Sequence, residues 1–186
     1  MKTTLNIPEN QDTLGYIHSL SEPARSKAEA VIVEIENRAL EEMQLQPGLP
    51  ELLKYLTQQG IHKAILTRNN VNSVNHMADN LFPLPVPGEP HPFHFDPILT
   101  RSFQPIKPDP APLYHIAEQW GIQPEELMMV GDHADDLNCG NNAGAVSVLL
   151  LDQVNRKFVP LADLAVCSLD DIIDFLRDGF MLHHKK

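Results

Sequence analysis

Cysteine is scarce in this sequence, since only Cys139 and Cys167 occur among 186 residues. Two cysteines give no disulfide framework of the kind that holds small secreted proteins together, and they favour a reducing compartment. Apolar runs are short as well, and none approaches the roughly 18 residues that a membrane-spanning helix requires. No charged start followed by an apolar run is seen, so we expect no secretory leader. These features predict a soluble, cytoplasmic protein.

Positive charge is also in short supply. The chain has 14 lysines and arginines against 25 aspartates and glutamates, which gives a net charge of −11. A strongly acidic protein is repelled by nucleic acids and by anionic membrane surfaces, so neither is expected as a partner. The length suits one domain and leaves room for a small appendage.

The first part of the chain is predicted to be helical. A short helix is expected from Asp12 to Leu20, and Ser21-Glu22-Pro23 opens a longer one. From Ala28 to Met43 apolar residues recur at helical spacing, with acidic residues mostly elsewhere. Both a helix that binds a partner and a helix packed on its own domain fit this pattern.

A helix, a glycine, a strand and a polar loop then follow in order. Leu49 to Gln59 is predicted as a helix that Gly60 ends, and Ile61 to Leu66 as a strand. This is the unit of an open α/β sheet, whose ligands lie beyond the carboxyl ends of the strands. Thr67 can therefore offer its hydroxyl and backbone N–H to an anion. The alternative is that Thr67 caps the helix predicted from Asn70 to about Asn80.

The segment from Leu81 to Pro97 contains six prolines, and we expect it to form an extended, mobile loop. A metal site that uses His91 and His94 is a second interpretation of this segment. Further elements are predicted downstream, in the order strand, helix, strand, strand and helix: Phe95 to Thr100, Ala111 to Trp120, Val146 to Leu151, Ala165 to Cys167 and Leu169 to Phe180.

Lys107 is flanked by prolines in the stretch Gln104-Pro105-Ile106-Lys107-Pro108-Asp109-Pro110. Prolines on both sides stiffen the backbone, so the lysine is a fixed positive charge of the kind that phosphate binding needs. An ordinary surface lysine before a helix that the prolines initiate is the alternative.

Three carboxylates, those of Asp132, Asp135 and Asp136, follow a short apolar strand from Leu127 to Val130. Carboxylates this close repel one another unless a cation or solvent compensates. Hard oxygen ligands suit Mg²⁺, which proteins usually hold with one or two carboxylates plus substrate phosphate and water. The alternative is a solvated acidic turn in which Asp135 or Asp136 caps the next helix, which runs toward Ala143.

These signals occur in one order: Leu66-Thr67-Arg68-Asn69, then Lys107-Pro108-Asp109-Pro110, then Val130-Gly131-Asp132 with Asp136. As an ordered set they resemble motifs two, three and four of the haloacid dehalogenase-like (HAD) hydrolase superfamily, most of whose members are Mg²⁺-dependent phosphatases. The resemblance covers roughly residues 45 to 170. The forms of the last two motifs are similar to those of phosphoglycolate-phosphatase-like or phosphoglucomutase-like members with a small helical cap.

The resemblance implies an α/β fold with a Rossmann-like core, a parallel sheet flanked by helices, over residues 47–186. Residues 1–46 would be a linker remnant and a small helical cap segment. It also assigns roles. Thr67 would hydrogen-bond the transferring phosphoryl group, Lys107 would balance its charge, and Arg68 and Asn69 would join them in phosphate binding. Asp132 would contact Mg²⁺, and Asp136 would be a further metal ligand or support one.

One family motif is absent from this sequence. In the superfamily an Asp-x-Asp at the end of a first, central strand supplies the nucleophile and the general acid/base. Asp12 superficially resembles it, but the polar stretch Asn6 to Gln11 contains Pro8, which cannot donate to a central ladder. The fold is therefore expected to lack its first strand, and the polypeptide is expected to be truncated just after that motif and inactive.

Three hypotheses follow from the presence of three family motifs and the absence of the first. The first is a HAD-type phosphatase lineage that acts on a small phosphorylated metabolite. The second is a non-catalytic HAD-like protein that keeps a Mg²⁺ or phosphate pocket and acts by binding. The third is a receiver-like α/β module, which the order of the motifs disfavours, because a receiver places its acidic cluster before its Thr and Lys.

Overall fold

The computed structural model describes residues 16–17, 19–84, 86–88 and 90–180, without the side chain of Glu36. The chain divides into two compact units, Met1–Gln44 and Leu45–Lys186. The sequence placed the boundary between cap and core at residues 46 and 47. That the first unit serves as a cap stays a prediction.

The first unit contains helix α1 (Ala24–Glu41). Ala28 and Ile32 of this helix are buried together with Ile17, and Leu20 packs against them. Val33, on another part of the helix surface, is 55% exposed. The helix thus buries apolar side chains within its own unit, which favours the interpretation of a helix packed on its own domain.

The second unit alternates helices with short strands. In chain order they are α2 (Leu49–Gln58), β1 (Ile65–Leu66), α3 (Val71–Leu81), β2 (Ile98–Leu99), α4 (Ala111–Trp120), β3 (Met128–Gly131), α5 (Ala134–Ala143), β4 (Val146–Leu150), β5 (Leu164–Val166) and α6 (Asp171–Asp178). Two 3₁₀ turns, Pro124–Glu126 and Arg156–Leu161, lie between them. The predicted glycine stops are confirmed at Gly121 and Gly144, which end α4 and α5 with left-handed φ values of 68° and 83°.

The strands are parallel throughout. β1 pairs with β2, and β3, β4 and β5 form a second sheet in that order. Parallel strands require crossover connections, and these run through α3 between β1 and β2, through α5 between β3 and β4, and through the 3₁₀ turn Arg156–Leu161 between β4 and β5. The α/β fold with parallel sheets and flanking helices that the sequence predicts is therefore confirmed.

Strand β3 separates two cores because its side chains alternate between the faces of the sheet. Met129 lies in the core formed with α4 and α5, which also contains Leu113 and Cys139. Val130, beside it in sequence, packs against the opposite core, where Leu52 of α2 and Ile172 of α6 are buried. Both faces of the second sheet are thus covered, which explains its nearly continuous apolar strands.

The strands predicted at Ile61–Leu66 and Phe95–Thr100 are shorter than expected, with two residues each. Their pairing nevertheless extends further as single backbone bonds. The Asp96 N–H donates to the Lys63 carbonyl at 2.8 Å, and the Ile65 N–H donates to the carbonyl of Pro97 at 3.1 Å. Pro97 has no N–H to donate, which interrupts the regular ladder on that side.

The proline-rich segment has no helix or strand between Leu81 and Ile98 in its described residues, but it packs on itself. The Phe82 and Phe93 rings pack at a tilt of 43° with their centroids 4.6 Å apart, and Phe93 is buried. The His91 ring contacts the Pro83 carbonyl at 3.1 Å and accepts the Phe93 N–H at 3.0 Å. The described residues hold no group of three or more His, Cys, Asp or Glu suited to a metal, so the metal interpretation of His91 and His94 finds no support.

Two expectations fall on residues that the structure does not describe. The stretch Asn6 to Gln11, and Asp12 with most of the first predicted helix, lie outside the described residues. The absence of a first strand therefore stays a prediction. None of the helices in the part of the chain that the structure describes has the length and apolarity needed to cross a bilayer.

Candidate functional site

The loop after β1 is held by backbone bonds to the end of β2 and to the segment that follows it. The Thr67 N–H donates to the Leu99 carbonyl at 2.9 Å, and the Arg101 N–H donates to the Asn69 carbonyl at 3.0 Å. The Thr67 Oγ1 accepts the Asn69 N–H at 3.1 Å, which closes a tight turn. These bonds therefore fix the position of the loop at the carboxyl edge of the first sheet.

Thr67 does not cap the following helix. The cap of α3 is Asn70, whose Oδ1 accepts the backbone N–H of Ser73 at 3.0 Å. An asparagine at this position satisfies a helix N–H that would otherwise lack a partner. The capping alternative for Thr67 is therefore wrong, and its half-buried side chain is oriented by the turn instead.

Lys107 is 8% exposed, so it is not an ordinary surface lysine. Its Nζ donates to Asp136 Oδ1 at 2.6 Å and to the Leu66 carbonyl at 2.9 Å. A buried ammonium is stable only with such compensation. The lysine thus joins the end of β1 to the first turn of α5, across 41 and 29 residues of sequence.

Asp136 has both carboxylate oxygens engaged. Besides the Lys107 contact through Oδ1, its Oδ2 accepts the His133 N–H at 3.1 Å. His133 is the N-cap of α5, and its ring nitrogen Nδ1 accepts the Asp135 N–H at 3.3 Å. The helix is capped by a histidine with Asp136 in the reciprocal position, so the expectation that Asp135 or Asp136 is itself the cap residue is wrong.

Gly131 makes the position of Asp136 possible. A Cβ built on Gly131 would lie 2.5 Å from Cγ of Asp136 and would overlap its Cβ and Oδ2. Real carbon atoms do not approach this closely, so only glycine fits at the end of β3. The glycine before Asp132 is therefore explained by close approach of the α5 carboxylate.

Arg68 forms an ion pair with Asp135 that bridges the two loops. Its Nη1 lies 2.5 Å from Asp135 Oδ2, with side-chain exposures of 53% and 24%. His133 Nδ1 lies 3.5 Å from the same oxygen, and the His133 ring meets the Phe158 ring edge-on at 5.4 Å. The structure thus gives Asp135 a contact with Arg68, whereas the sequence indicated only the acidic cluster and a possible helix cap for it.

Asp132 is exposed at the carboxyl end of β3, and its backbone carbonyl accepts a hydrogen bond from Asn155. Asn155, only 3% exposed, donates through Nδ2 to the Asp132 carbonyl at 3.0 Å and to the Leu150 carbonyl at 2.9 Å. Its Oδ1 accepts the Asp152 N–H at 2.9 Å. Sequence reasoning missed Asn155, although its place just after β4, at the carboxyl edge of the sheet, was a usable signal.

Among the predicted metal ligands, one carboxylate, that of Asp132, is available to Mg²⁺. The described part of the chain contains no group of three metal-ligating side chains. Mg²⁺ needs fewer protein ligands than that, since it retains water and takes oxygens from phosphate. The exposed carboxylate of Asp132 makes no hydrogen bond or ion pair with described residues, so it is available, whereas the oxygens of Asp136 are already used.

Cys139 lies beside this cluster on α5, and its Sγ contacts the Asp109 carbonyl at 3.1 Å. Burial raises the pKa of the Cys139 thiol to about 11, although the nearby Lys107 ammonium lowers it in part. A neutral, fully buried thiol is not a nucleophile at physiological pH. The cysteine therefore has a packing role.

The predicted site residues are brought together in two contacts rather than one. Lys107 meets Asp136, and Arg68 meets Asp135, while Leu66, Thr67, Arg68 and Lys107 line one small recess. Asn69 contributes through its backbone, and its side chain is exposed. The recess thus has two cations and a hydroxyl in its lining, a donor set that suits an anion, and Asp132 is not among its lining residues.

Comparison with known proteins agrees with this geometry. The family model described as haloacid dehalogenase-like hydrolase matches residues 6–144. An uncharacterized hydrolase of Saccharomyces cerevisiae, YOR131C, is 38% identical over 184 residues, which is 96% of this chain and 82% of the yeast protein. A phosphoglycolate phosphatase of Mannheimia succiniciproducens is 30% identical over 124 residues, covering 64% of this chain and 50% of that enzyme.

A solved structure shares the fold. A predicted phosphoglycolate phosphatase from Haemophilus somnus superposes with a TM-score of 0.69 at 21% identity, over 84% of this chain and 68% of that one. The sequence motifs, the parallel sheets and the family match all indicate the same family. This chain belongs to the haloacid dehalogenase-like hydrolase family, and phosphoglycolate phosphatases are among its homologues.

Proposed function

We propose that this chain belongs to the phosphomonoester phosphatase lineage of its family and binds the phosphoryl group of a small phosphorylated metabolite together with Mg²⁺. The observation that carries the proposal is the buried Lys107 ammonium, fixed between Asp136 and the Leu66 carbonyl beside Thr67. Phosphoryl binding depends on fixed charge and fixed donors, and this loop geometry provides both.

Lys107 has one donor left for an anion. An ammonium carries three N–H groups, and two of them are directed at Asp136 and at the Leu66 carbonyl. The third can reach into the recess that Thr67 and Arg68 also line. The recess is narrow, so the phosphoryl group would sit at its mouth, within reach of the Thr67 hydroxyl, while the Asn69 N–H is used to orient that hydroxyl.

Asp132 is the proposed Mg²⁺ ligand, because its carboxylate is exposed at the carboxyl end of β3, next to the α5 turn whose Asp136 holds Lys107. Asp136 would support the site by holding Lys107, and less by direct ligation. When bound, Mg²⁺ would neutralise charge on the phosphoryl oxygens. The names of the homologues make a small phosphorylated acid such as phosphoglycolate the natural first ligand to test.

We further propose that residues 1–186 bind without turnover. No two aspartates in the sequence are two positions apart, so the Asp-x-Asp that supplies the nucleophile in this superfamily does not occur. Cys139 cannot replace it, since its thiol is buried and neutral. The described residues of the proposed site would position and neutralise an anion, and none of them is proposed as a group that accepts the phosphoryl.

The test is binding and activity of the 186-residue protein. Inorganic phosphate and phosphoglycolate, each with Mg²⁺, are expected to raise the melting temperature. Asp132→Asn should remove the Mg²⁺-dependent part of the rise, and Thr67→Val should weaken the phosphate-dependent part. Asp174→Asn makes the same charge change in an exposed ion pair with Arg177 and serves as the control.

Activity is measured with phosphoglycolate and a generic aryl phosphate. No Mg²⁺-dependent hydrolysis is expected. Hydrolysis that Asp132→Asn abolishes would overturn the proposal of binding without turnover. Failure of both phosphate and Mg²⁺ to stabilise the folded protein would overturn the proposed site itself.

A further inference from the structure

Arg68, one of the proposed phosphate-binding residues, forms an ion pair with the Asp135 carboxylate. The two side chains meet at 2.5 Å, and Arg68 is the more exposed partner at 53%, against 24% for Asp135. A carboxylate presents two oxygens to a guanidinium in the same planar geometry that a phosphate does. Asp135 therefore occupies one of the guanidinium donors that an incoming phosphoryl group would use and directs the Arg68 side chain toward α5.

The two partners differ in how firmly they are held. Asp135 is in the first turn of α5, where its N–H is bonded to the His133 ring. Arg68 has a long, exposed side chain on the loop after β1. Arg68 can therefore change partners by rotating its long side chain, whereas the short side chain of Asp135 stays near the first turn of α5, where its backbone is held.

From this asymmetry we infer that Asp135 is an internal competitor for Arg68 and sets the affinity of the site for its anion. In the free protein Arg68 is bound to Asp135, and in the complex it turns to the phosphoryl group. The inference rests on the proposed function, because it requires that the recess beside Lys107 binds phosphate.

The expected size of the effect follows from the exposure of the pair. Ion pairs between solvent-exposed side chains shift an equilibrium by no more than about fivefold. A phosphomonoester carries a charge of about −1.5 to −2 at pH 7, against −1 for the carboxylate, so it can win the exchange. Removing the competitor should therefore tighten phosphate binding by up to about fivefold.

The experiment measures the dissociation constant of inorganic phosphate by calorimetry in four variants and the original protein. The variants are Asp135→Asn, Arg68→Gln, their double mutant and the charge-matched control Asp174→Asn. Asp135→Asn should bind phosphate more tightly, Asp174→Asn should be unchanged, and Arg68→Gln should bind more weakly. In the Arg68→Gln background, Asp135→Asn should have no further effect, because the competition acts through Arg68.

The double-mutant comparison separates this inference from a general charge effect. If Asp135→Asn tightens binding equally with and without Arg68, the carboxylate acts only through the overall field, and the inference is wrong. If Asp135→Asn changes nothing while the original protein binds phosphate, the inference fails and the proposed function stands. If the original protein binds no phosphate, the proposed function fails. Thermal melts of all variants check that each is folded.

Discussion

The Nζ atom of Lys107 lies 2.6 Å from Oδ1 of Asp136, and both side chains are only 9% exposed. This contact joins the loop before α4 to the first turn of α5, while the same Nζ reaches the Leu66 carbonyl at the end of β1. In the described residues the two sheets share no backbone ladder. The ion pair is therefore a polar link between the parts of the second unit, and it fixes the geometry of the site.

Replacing Lys107 by methionine should destabilise the protein strongly. Methionine fills similar space but leaves the Asp136 carboxylate buried without its cation, which typically costs about 3–5 kcal/mol of unfolding free energy. Urea denaturation at neutral pH measures this loss. Arg177→Met removes an exposed ion pair to Asp174 and should leave the urea midpoint nearly unchanged. Equal midpoints for the two variants would show that the buried pair adds nothing beyond a surface pair.

Gly131→Ala should disturb the same pair through sterics alone. The added Cβ would overlap the Asp136 side chain, so the start of α5 must move away from the end of β3. We expect a loss of about 1–3 kcal/mol, as for overpacking elsewhere, and weaker phosphate binding. Gly121→Ala is the matched control, since nothing lies within 4 Å of its added Cβ. That variant should lose about 1 kcal/mol from its left-handed backbone and keep phosphate affinity. Unchanged binding in Gly131→Ala would contradict the expectation.

Much of this architecture could be predicted from the sequence because its signals are local. Periodic apolar residues and glycine stops located the helices, as Gly121 and Gly144 show, and polar residues after apolar strands marked the sheet edge. The partners of those polar residues could not be predicted in the same way. That Lys107 pairs with Asp136, and Arg68 with Asp135, depends on how distant loops pack, and no local pattern encodes it.

Asn155 is a second example of a residue whose contacts could not be predicted from the sequence. It has no charge and stands in no motif, so the sequence offered only its position after a strand. Its importance comes from three hydrogen bonds made through side-chain atoms to the backbones of Asp132, Leu150 and Asp152.

The lengths of the strands β1 and β2 were overestimated from the sequence, because Pro97 lacks the N–H that a longer ladder between them would need.

The two cysteines should differ in reactivity. Cys139 is fully buried, and burial raises the pKa of its thiol to about 11, whereas Cys167 is exposed. A thiol reagent at pH 8 should therefore modify one cysteine in the folded protein and two in denaturant. The raised pKa also implies that stability falls between about pH 9 and pH 11, because the unfolded chain loses the Cys139 proton first. Rapid modification of both thiols under native conditions would contradict the burial of Cys139.

Asn155→Asp should loosen the proposed metal ligand without changing its side chain. The substitution keeps the size of residue 155 but replaces the two N–H donors with an oxygen that faces the Asp132 and Leu150 carbonyls. Buried polar groups left without partners typically cost about 1–3 kcal/mol each, so the urea midpoint should fall. Because Asp132 then loses the bond that holds its backbone, stabilisation by Mg²⁺ should fall by more than the control shows. The control is Asn142→Asp, which removes one exposed bond to the Pro108 carbonyl. If both variants keep the full Mg²⁺-dependent rise in melting temperature, Asn155 supports the fold but does not position Asp132.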